Sequence, residues 1–429
     1  MKKNKLLLLV LAGICFFASC QKDVEPTAFD TPTRIEASLK TNRITLQEAI
    51  EIATDGIAML ESTDITRANL SRRVDTNLIK YKINPATRAG EDADTLYYVV
   101  NYADNAGFAV VSTTRSNENP LLVVTEAGNY TPGEETENEG FNMYMDLLNE
   151  SISRERSGID PNPPEGPTTE HSVEEFNIGP FLNVKWGQGY PYNMYCPPYT
   201  ATETARYPAG CVATAIAQIM SYHEYPTQYT PTYNTSIPTQ YLNWTTIKSH
   251  VGGSATCNCT SHTQLAHLIA EVGEKVNMIY TPTSSSAYLQ NTITGFQNMG
   301  YRMDTYATSY SFDKVKSNLN SNRPILMVGS NTNEEGHAWV ADGYKQINYI
   351  QTTYDYELNG RPVIVDQSIT TQYYLHLNWG WDGDFNGYYY EGTFNLAQPY
   401  ELDSPTNNSY TANFNTGLHI ISNIQPQNN

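Results

Sequence analysis

The sequence is short of three things, and each shortage removes a class of explanation. Cysteine is scarce, with six in 429 residues. Cys15 and Cys20 fall in the leader, so Cys196, Cys211, Cys257 and Cys259 remain, too few for a disulfide-built scaffold. Basic residues are outnumbered, 26 Lys+Arg against 45 Asp+Glu for a formal charge of −19. That argues against nucleic acid as a partner, because phosphate binding needs clustered Lys and Arg. A bilayer-spanning run is missing as well: Leu6–Phe17 falls short of the roughly 20 apolar residues a membrane helix needs. No internal repeat is visible, and no cofactor is expected.

What the leader does contain is Lys2, Lys3 and Lys5 followed by that apolar run, the pattern of a signal peptide over residues 1–20. It ends Phe17-Ala18-Ser19-Cys20, which resembles a bacterial lipobox. Cys20 is then the lipidated first residue, and the only expected membrane contact is that lipid anchor. Ile14 before Cys15 makes Cys15 the poorer candidate. Gln21-Lys22-Asp23-Val24-Glu25 resembles the tag that sends some lipoproteins to the outer surface, so the expected location is extracytoplasmic. The Cys257-Asn258-Cys259 spacing raises the question of metal. No second ligand pair stands nearby at zinc spacing, His262 and His267 being the closest candidates, so a loop disulfide or free thiols are expected instead.

At this length two domains behind the leader are expected. Residues 21–40 read as a tether. Thr45-Leu46-Gln47-Glu48 has the form of a capping box, and Leu46, Ile50, Ala53, Ile57 and Leu60 continue as one helical stripe. Residues 62–95 look polar and broken, with an exposed loop at Arg88-Ala89-Gly90. Leu96–Tyr102, Gly107–Thr113 and Leu121–Val124 read as strands, and Phe141, Tyr144, Met145, Leu148 and Ile152 as a closing helix. A first α+β domain therefore spans 21–154. The Pro- and Gly-rich stretch 155–172 cannot bury enough surface to order itself and reads as a linker open to proteases. Residues 173–429 form the second domain. Helices are expected near 211–225, 263–276, 286–299 and 312–320. Apolar strands are expected at Pro324–Ser330, Ala338–Tyr344, Tyr349–Tyr356, Pro362–Asp366, Tyr373–Trp379, Gly387–Glu391 and His419–Ile424. Helices first and strands later is an α+β arrangement.

Chemistry enters at Gly210-Cys211-Val212-Ala213-Thr214-Ala215-Ile216. Val212, Ala215, Ile216, Ile219 and Met220 mark a buried helical face, and Pro208, Ala209 and Gly210 punctuate its start. Cys211 then sits in the first turn, where unpaired N–H groups and the helix dipole favour thiolate. Position alone leaves a buried inert thiol equally open. A nucleophile needs a base close in space. Of the eight histidines, His337 opens a strand in Gly336-His337-Ala338-Trp339-Val340-Ala341-Asp342-Gly343-Tyr344, directly after a glycine and a polar loop. His223 lies on the same helix as Cys211, roughly 18 Å along it, and cannot be the base. His376 alternates within a strand and reads as a packed residue.

Together with Trp186-Gly187-Gln188-Gly189-Tyr190-Pro191-Tyr192-Asn193 and Asn378-Trp379-Gly380-Trp381-Asp382-Gly383, these motifs resemble the streptopain family of papain-like cysteine peptidases, in the family's order. The resemblance covers about residues 176–425, and the upstream domain resembles that family's inhibitory prodomain. It implies a papain-like α+β catalytic domain and a secreted or surface-anchored endopeptidase made as a zymogen, acting on proteins or peptides. A hydrophobic residue just before the residue at the cut would be preferred. It assigns attack to Cys211, acid–base work to His337, and the oxyanion hole to the Gln188 side chain with the Cys211 N–H. Asn378 would orient His337, or Trp379 or Trp381 would hold the ring by packing. Gly336 would let substrate backbone approach, and Thr283–Ser286 would line the cleft. Gln351–Thr371 and Glu401–Asn413 depart from the streptopain pattern. A papain-like acyl transferase and a non-catalytic surface lipoprotein are the alternatives.

Overall fold

The capping box behaves as its chemistry dictates. The Thr45 N–H donates to Glu48 Oε2 at 2.8 Å and the Glu48 N–H donates back to Thr45 Oγ1 at 3.3 Å, starting helix α1, Leu46–Glu61. In the computed structural model the described residues are 43–61, 72–83, 95–114, 120–156, 169–200, 204–250, 260–330, 336–356, 362–397 and 418–427. The leader with Cys20, the 21–40 tether, the 88–90 loop, the middle of the linker, Cys257 and Cys259, and Glu401–Asn413 lie outside them.

After α1 come strands β1, Val74–Ile83, β2, Thr95–Tyr102, β3, Phe108–Ser112, and β4, Leu121–Thr125, then helix α2, Glu139–Arg156. Strand β5, Thr169–Ile178, precedes the central helix α3, Cys211–His223. Helices α4, Trp244–Lys248, α5, Thr260–Lys275, α6, Leu289–Asn298, and α7, Phe312–Asn320, follow. The remaining strands of the main sheet are β6, Thr308–Ser309, β7, Ile325–Ser330, β8, Gly336–Tyr356, β9, Pro362–Asn378, β10, Gly387–Tyr390, and β11, His419–Ile421; three further sheets are pairs of two-residue strands.

These eleven strands form one antiparallel sheet in the order β1-β2-β3-β4-β10-β9-β8-β7-β11-β6, with β5 paired to β8. The first α+β unit and the second thus share a single sheet, joined where β4 pairs with β10 at Val123↔Tyr389, Val124↔Tyr388 and Thr125↔Gly387. Residues 41–429 cluster as one unit. The apolar texture of β7 and β8 follows from burial on both faces. Leu326, Val328, Ala338 and Val340 lie in one core with α3 and α5, while Ile325, Met327, Trp339 and Ala341 lie in the core that Phe141, Tyr144 and Leu148 of α2 share. Residues 44–124 form a core between α1 and β2–β4 that Ile347, Tyr374 and Tyr388 complete. The α2 side chains share a core with Trp339, Trp379, Leu375 and Leu377.

Two differences from the sequence reading have physical causes. Strand β1 was expected as broken loop because its outer position leaves Tyr81 and Ile83 exposed and lets polar residues alternate freely. The pairs of short strands expected over 338–356 and 362–379 are single long strands. Cross-strand pairing continues from Val340↔Asn378 to Tyr356↔Pro362 through two bulges, so the described parts of the departing segment, 351–356 and 362–371, pair with each other. Strand β5, at the end of the expected linker, covers the other edge of β8.

Candidate active site

Helix α3 begins where glycine permits it. Gly210 has φ 89°, and a Cβ there would lie 2.8 Å from the Met278 thioether and 2.9 Å from the Ser285 carbonyl. A side chain at this position would meet both strain and collision. The same contact brings the Thr283–Ser286 turn up to the start of the helix. Cys211 follows in the first turn, buried, with its thiol against the backbone N–H of Ala338. Ala338 is the neighbour of His337, so the start of the helix and the start of the strand converge.

Gln188 is placed by its own backbone: its carbonyl accepts from Ala209 N at 2.8 Å. One residue earlier, Gly187 O accepts from Thr214 Oγ1 at 3.3 Å. The 186–188 segment is thereby held along the first turn of α3, with Gln188 itself half-buried. Gly336 is exposed at the first position of β8.

His337 is buried, and its Nε2 lies 3.0 Å from the carbonyl oxygen of Trp379. A carbonyl only accepts, so Nε2 carries the proton. The ring sits between Trp339, Trp379 and Trp381, with centroids 6.2 to 6.4 Å away. Asn378 is placed differently from the role assigned by the motif. Its Oδ1 accepts from Gln218 Nε2 at 2.9 Å and from Gly380 N at 3.2 Å, and its Nδ2 donates to Val184 O at 2.8 Å. No hydrogen bond joins it to His337. Asn378 ties α3, the 184–186 segment and the end of β9 together, while Trp379 meets His337 through its main chain. Gln218 was missed in the sequence because a polar residue in an apolar helix looks like a solvated one.

Residues of the first α+β unit also reach the site. A Cβ on Gly140, in the first turn of α2, would lie 2.6 Å from His337 Cδ2 and 2.6 Å from Trp379 Cζ3. The helix start therefore rests directly on both rings. Glu139, beside it, acts electrostatically on Cys211. Burial pushes the Cys211 thiol up to about 11, and the Ala338 and Val212 N–H groups and the Glu139 charge only modify that. Burial likewise pulls His337 down to about 4, against the opposing Trp379 contact. Both groups are neutral at pH 7 in this arrangement. The helix-start effect expected to favour thiolate is outweighed by loss of solvent.

A second histidine site lies on the same strands. His376 Nδ1 meets Asp342 Oδ1 at 2.6 Å and its Nε2 meets Glu126 Oε1 at 3.3 Å, while Lys185 Nζ meets Glu126 Oε2. Two carboxylates facing its two nitrogens push His376 up to about 9 despite burial. The expected packed residue is packed and charged.

The start of α3 and the start of β8 thus bring Cys211 and His337 into one region, and comparison with known proteins points to a cysteine peptidase. The Peptidase C10 family model matches residues 186–389. Streptopain of Streptococcus pyogenes is 25% identical over 340 residues, covering 72% of this chain and 77% of streptopain. The thiol protease/hemagglutinin PrtT of Porphyromonas gingivalis is 23% identical over 376 residues, 80% of this chain but 38% of that protein. Among solved structures, a prointerpain A fragment from Prevotella intermedia, in a cysteine-to-alanine mutant, matches 80% of this chain and 98% of its own. Its TM-score is 0.50 at 23% identity, a likeness of fold. These likenesses support a streptopain-like cysteine peptidase, and the fold, mixed helices and sheet, is like that of prointerpain A. Among the described residues no helix is long and apolar enough to cross a membrane.

Proposed function

We propose that this chain is a latent cysteine endopeptidase, exported as a lipoprotein anchored through Cys20, that hydrolyses peptide bonds once residues 21–154 have left the site. Cys211 is the nucleophile and His337 the acid–base. With Nε2–H held by the Trp379 carbonyl, Nδ1 is the nitrogen available to exchange a proton with the thiol. The thiolate attacks the scissile carbonyl carbon, forming a C–S bond and an oxyanion. The Gln188 side chain and the Cys211 N–H stabilise that oxyanion. His337 then protonates the leaving amine as the C–N bond breaks. Water, deprotonated by His337, cleaves the thioester and returns the thiol. Gly336, exposed beside His337, leaves room for substrate backbone.

The observation that carries the reading is the first turn of α2 lying on His337 and Trp379, with the thiol and imidazole beneath it both neutral. A pair so covered is latent rather than inert. The connector left between α2 and β5 is the cut site within the expected linker 155–172.

The experiment is peptide hydrolysis before and after cleavage of that connector, with products identified by mass and with amine acceptors added. New carboxyl termini formed only after cleavage, and stopped by a thiol-alkylating epoxide, are expected. Amide products formed in preference to free acids would favour an acyl transferase. No turnover before or after cleavage would favour a binding lipoprotein.

A further inference from the structure

The join between pro-region and catalytic domain has chemistry that the active site does not use. Along β10 the pro-region pairs as a strand, and the pairing runs past β4. Glu126 N donates to Asn386 O at 2.8 Å and Phe385 N donates to Ala127 O at 3.3 Å. At the end of this zipper the Glu126 carboxylate enters a socket made by Lys185 and His376. The socket is built: the His376 and Asp342 side chains are 4% and 0% exposed. Asp342 is fixed by Leu182 N at 2.8 Å as well as by His376. The Lys185 stem lies on Gly383, where a Cβ would come within 2.5 Å of it.

Protons can be counted from geometry alone. Carboxylates only accept, so an imidazole with one on each nitrogen donates from both and is a cation. Lys185 and His376 then balance Glu126 and Asp342. Asp384 also interacts electrostatically with Lys185. Removing Glu126 takes that carboxylate from both His376 Nε2 and Lys185 Nζ, at the end of an open strand edge. A strand edge offers main-chain pairing to any extended segment, so the socket supplies the selectivity.

We propose that Lys185 and His376 form a carboxylate-reading socket at the end of β10, that Glu126 is its occupant, and that this pairing holds the pro-region in place after the connector is cut. The partner it fits is an extended apolar strand followed directly by an acidic residue, which in this chain is Leu121–Glu126. The inference rests on the latent-peptidase reading for its biological consequence, but not for its test.

The test uses the full chain carrying Cys211→Ala, so that no self-processing occurs, with a site for an added sequence-specific protease placed in the connector. After cutting, the chain is immobilised through its C-terminal part and the dissociation rate of the N-terminal fragment is measured. The expected result is slow release from the parent and release at least about tenfold faster for Glu126→Gln, which is on the order of one unpaired buried charge. Lys185→Met should also speed release, and the double variant should be no faster than the quicker single one, because both remove one interaction. Unchanged release in Glu126→Gln, or additive effects in the double variant, would overturn the proposal. Should Glu126→Gln fail to fold, Lys185→Met decides alone, faster release supporting the socket and unchanged release refuting it. Since the readout is retention, the outcome stands whether or not the protein proves to be a peptidase.

Discussion

His337 and His376 lie on adjacent strands of one sheet, both buried, and carry opposite charge states. His337 faces one main-chain carbonyl and is pulled down to about 4. His376 faces two carboxylates and is pushed up to about 9. Burial is common to both, so partners decide the charge: a buried imidazole without an anion sheds its proton, and one between two anions keeps it. In each case one side of the arrangement comes from the pro-region, through Gly140 at His337 and Glu126 at His376. A single segment, from Glu126 to Gly140, thus meets both histidines.

The comparison is broken most severely at His337. Once the connector is cut, His337→Ala or Cys211→Ala should lower peptide turnover by about a millionfold, since groups that act as a unit fail together. Initial rates on a peptide substrate check it. Gln188→Ala should lower kcat by roughly a hundred- to a thousandfold at similar thermal stability, the scale of a lost oxyanion donor. Gly140→Leu forces a side chain into the space held by His337 and Trp379. Such overpacking costs about 1–3 kcal/mol, so activity of the uncut chain should rise by about tenfold or more. A fluorogenic peptide assay on uncut protein reads it.

pH sharpens the comparison, because the two histidines have opposite signs. The His376 pKa is raised, so its contribution to stability is full below its ordinary value of 6.5 and is lost as pH rises through about 9. The His337 pKa is lowered, so stability is lost at this group as pH falls from 6.5 towards about 4. Relative to the parent, His376→Gln should therefore be most destabilised at mildly acid pH, with the gap closing above pH about 9. His337→Gln should gain on the parent as pH falls below 6.5. Thermal midpoints across the pH series give both slopes.

Much of the site was legible in the sequence because its residues are tied to local grammar. Cys211 follows a glycine that only a helix start explains, and His337 follows another glycine at the head of an apolar strand. Helix α1 announced itself through Thr45 and Glu48. What stayed hidden depended on contacts between distant segments. Gly140 looks like any glycine in the first turn of an amphipathic helix, and only the fold sets it on His337. Glu126 and His376 are 250 residues apart, and neither has a local pattern that names the other. Asn378 carried a motif and was read by the motif, whereas its side chain joins Gln218 to Val184. Strand β1 was missed because an outer strand need not be apolar.

The most direct measurement is the rate of Cys211 alkylation against pH, in the uncut chain and after removal of the pro-region. Covered by α2, the thiol should stay largely unreactive up to alkaline pH, in keeping with a value near 11. Freed and paired with His337, it should react as thiolate from mildly acid pH upward, as histidine-paired thiols with pKa of roughly 3–4 do. Superimposable profiles for the two forms would contradict the account.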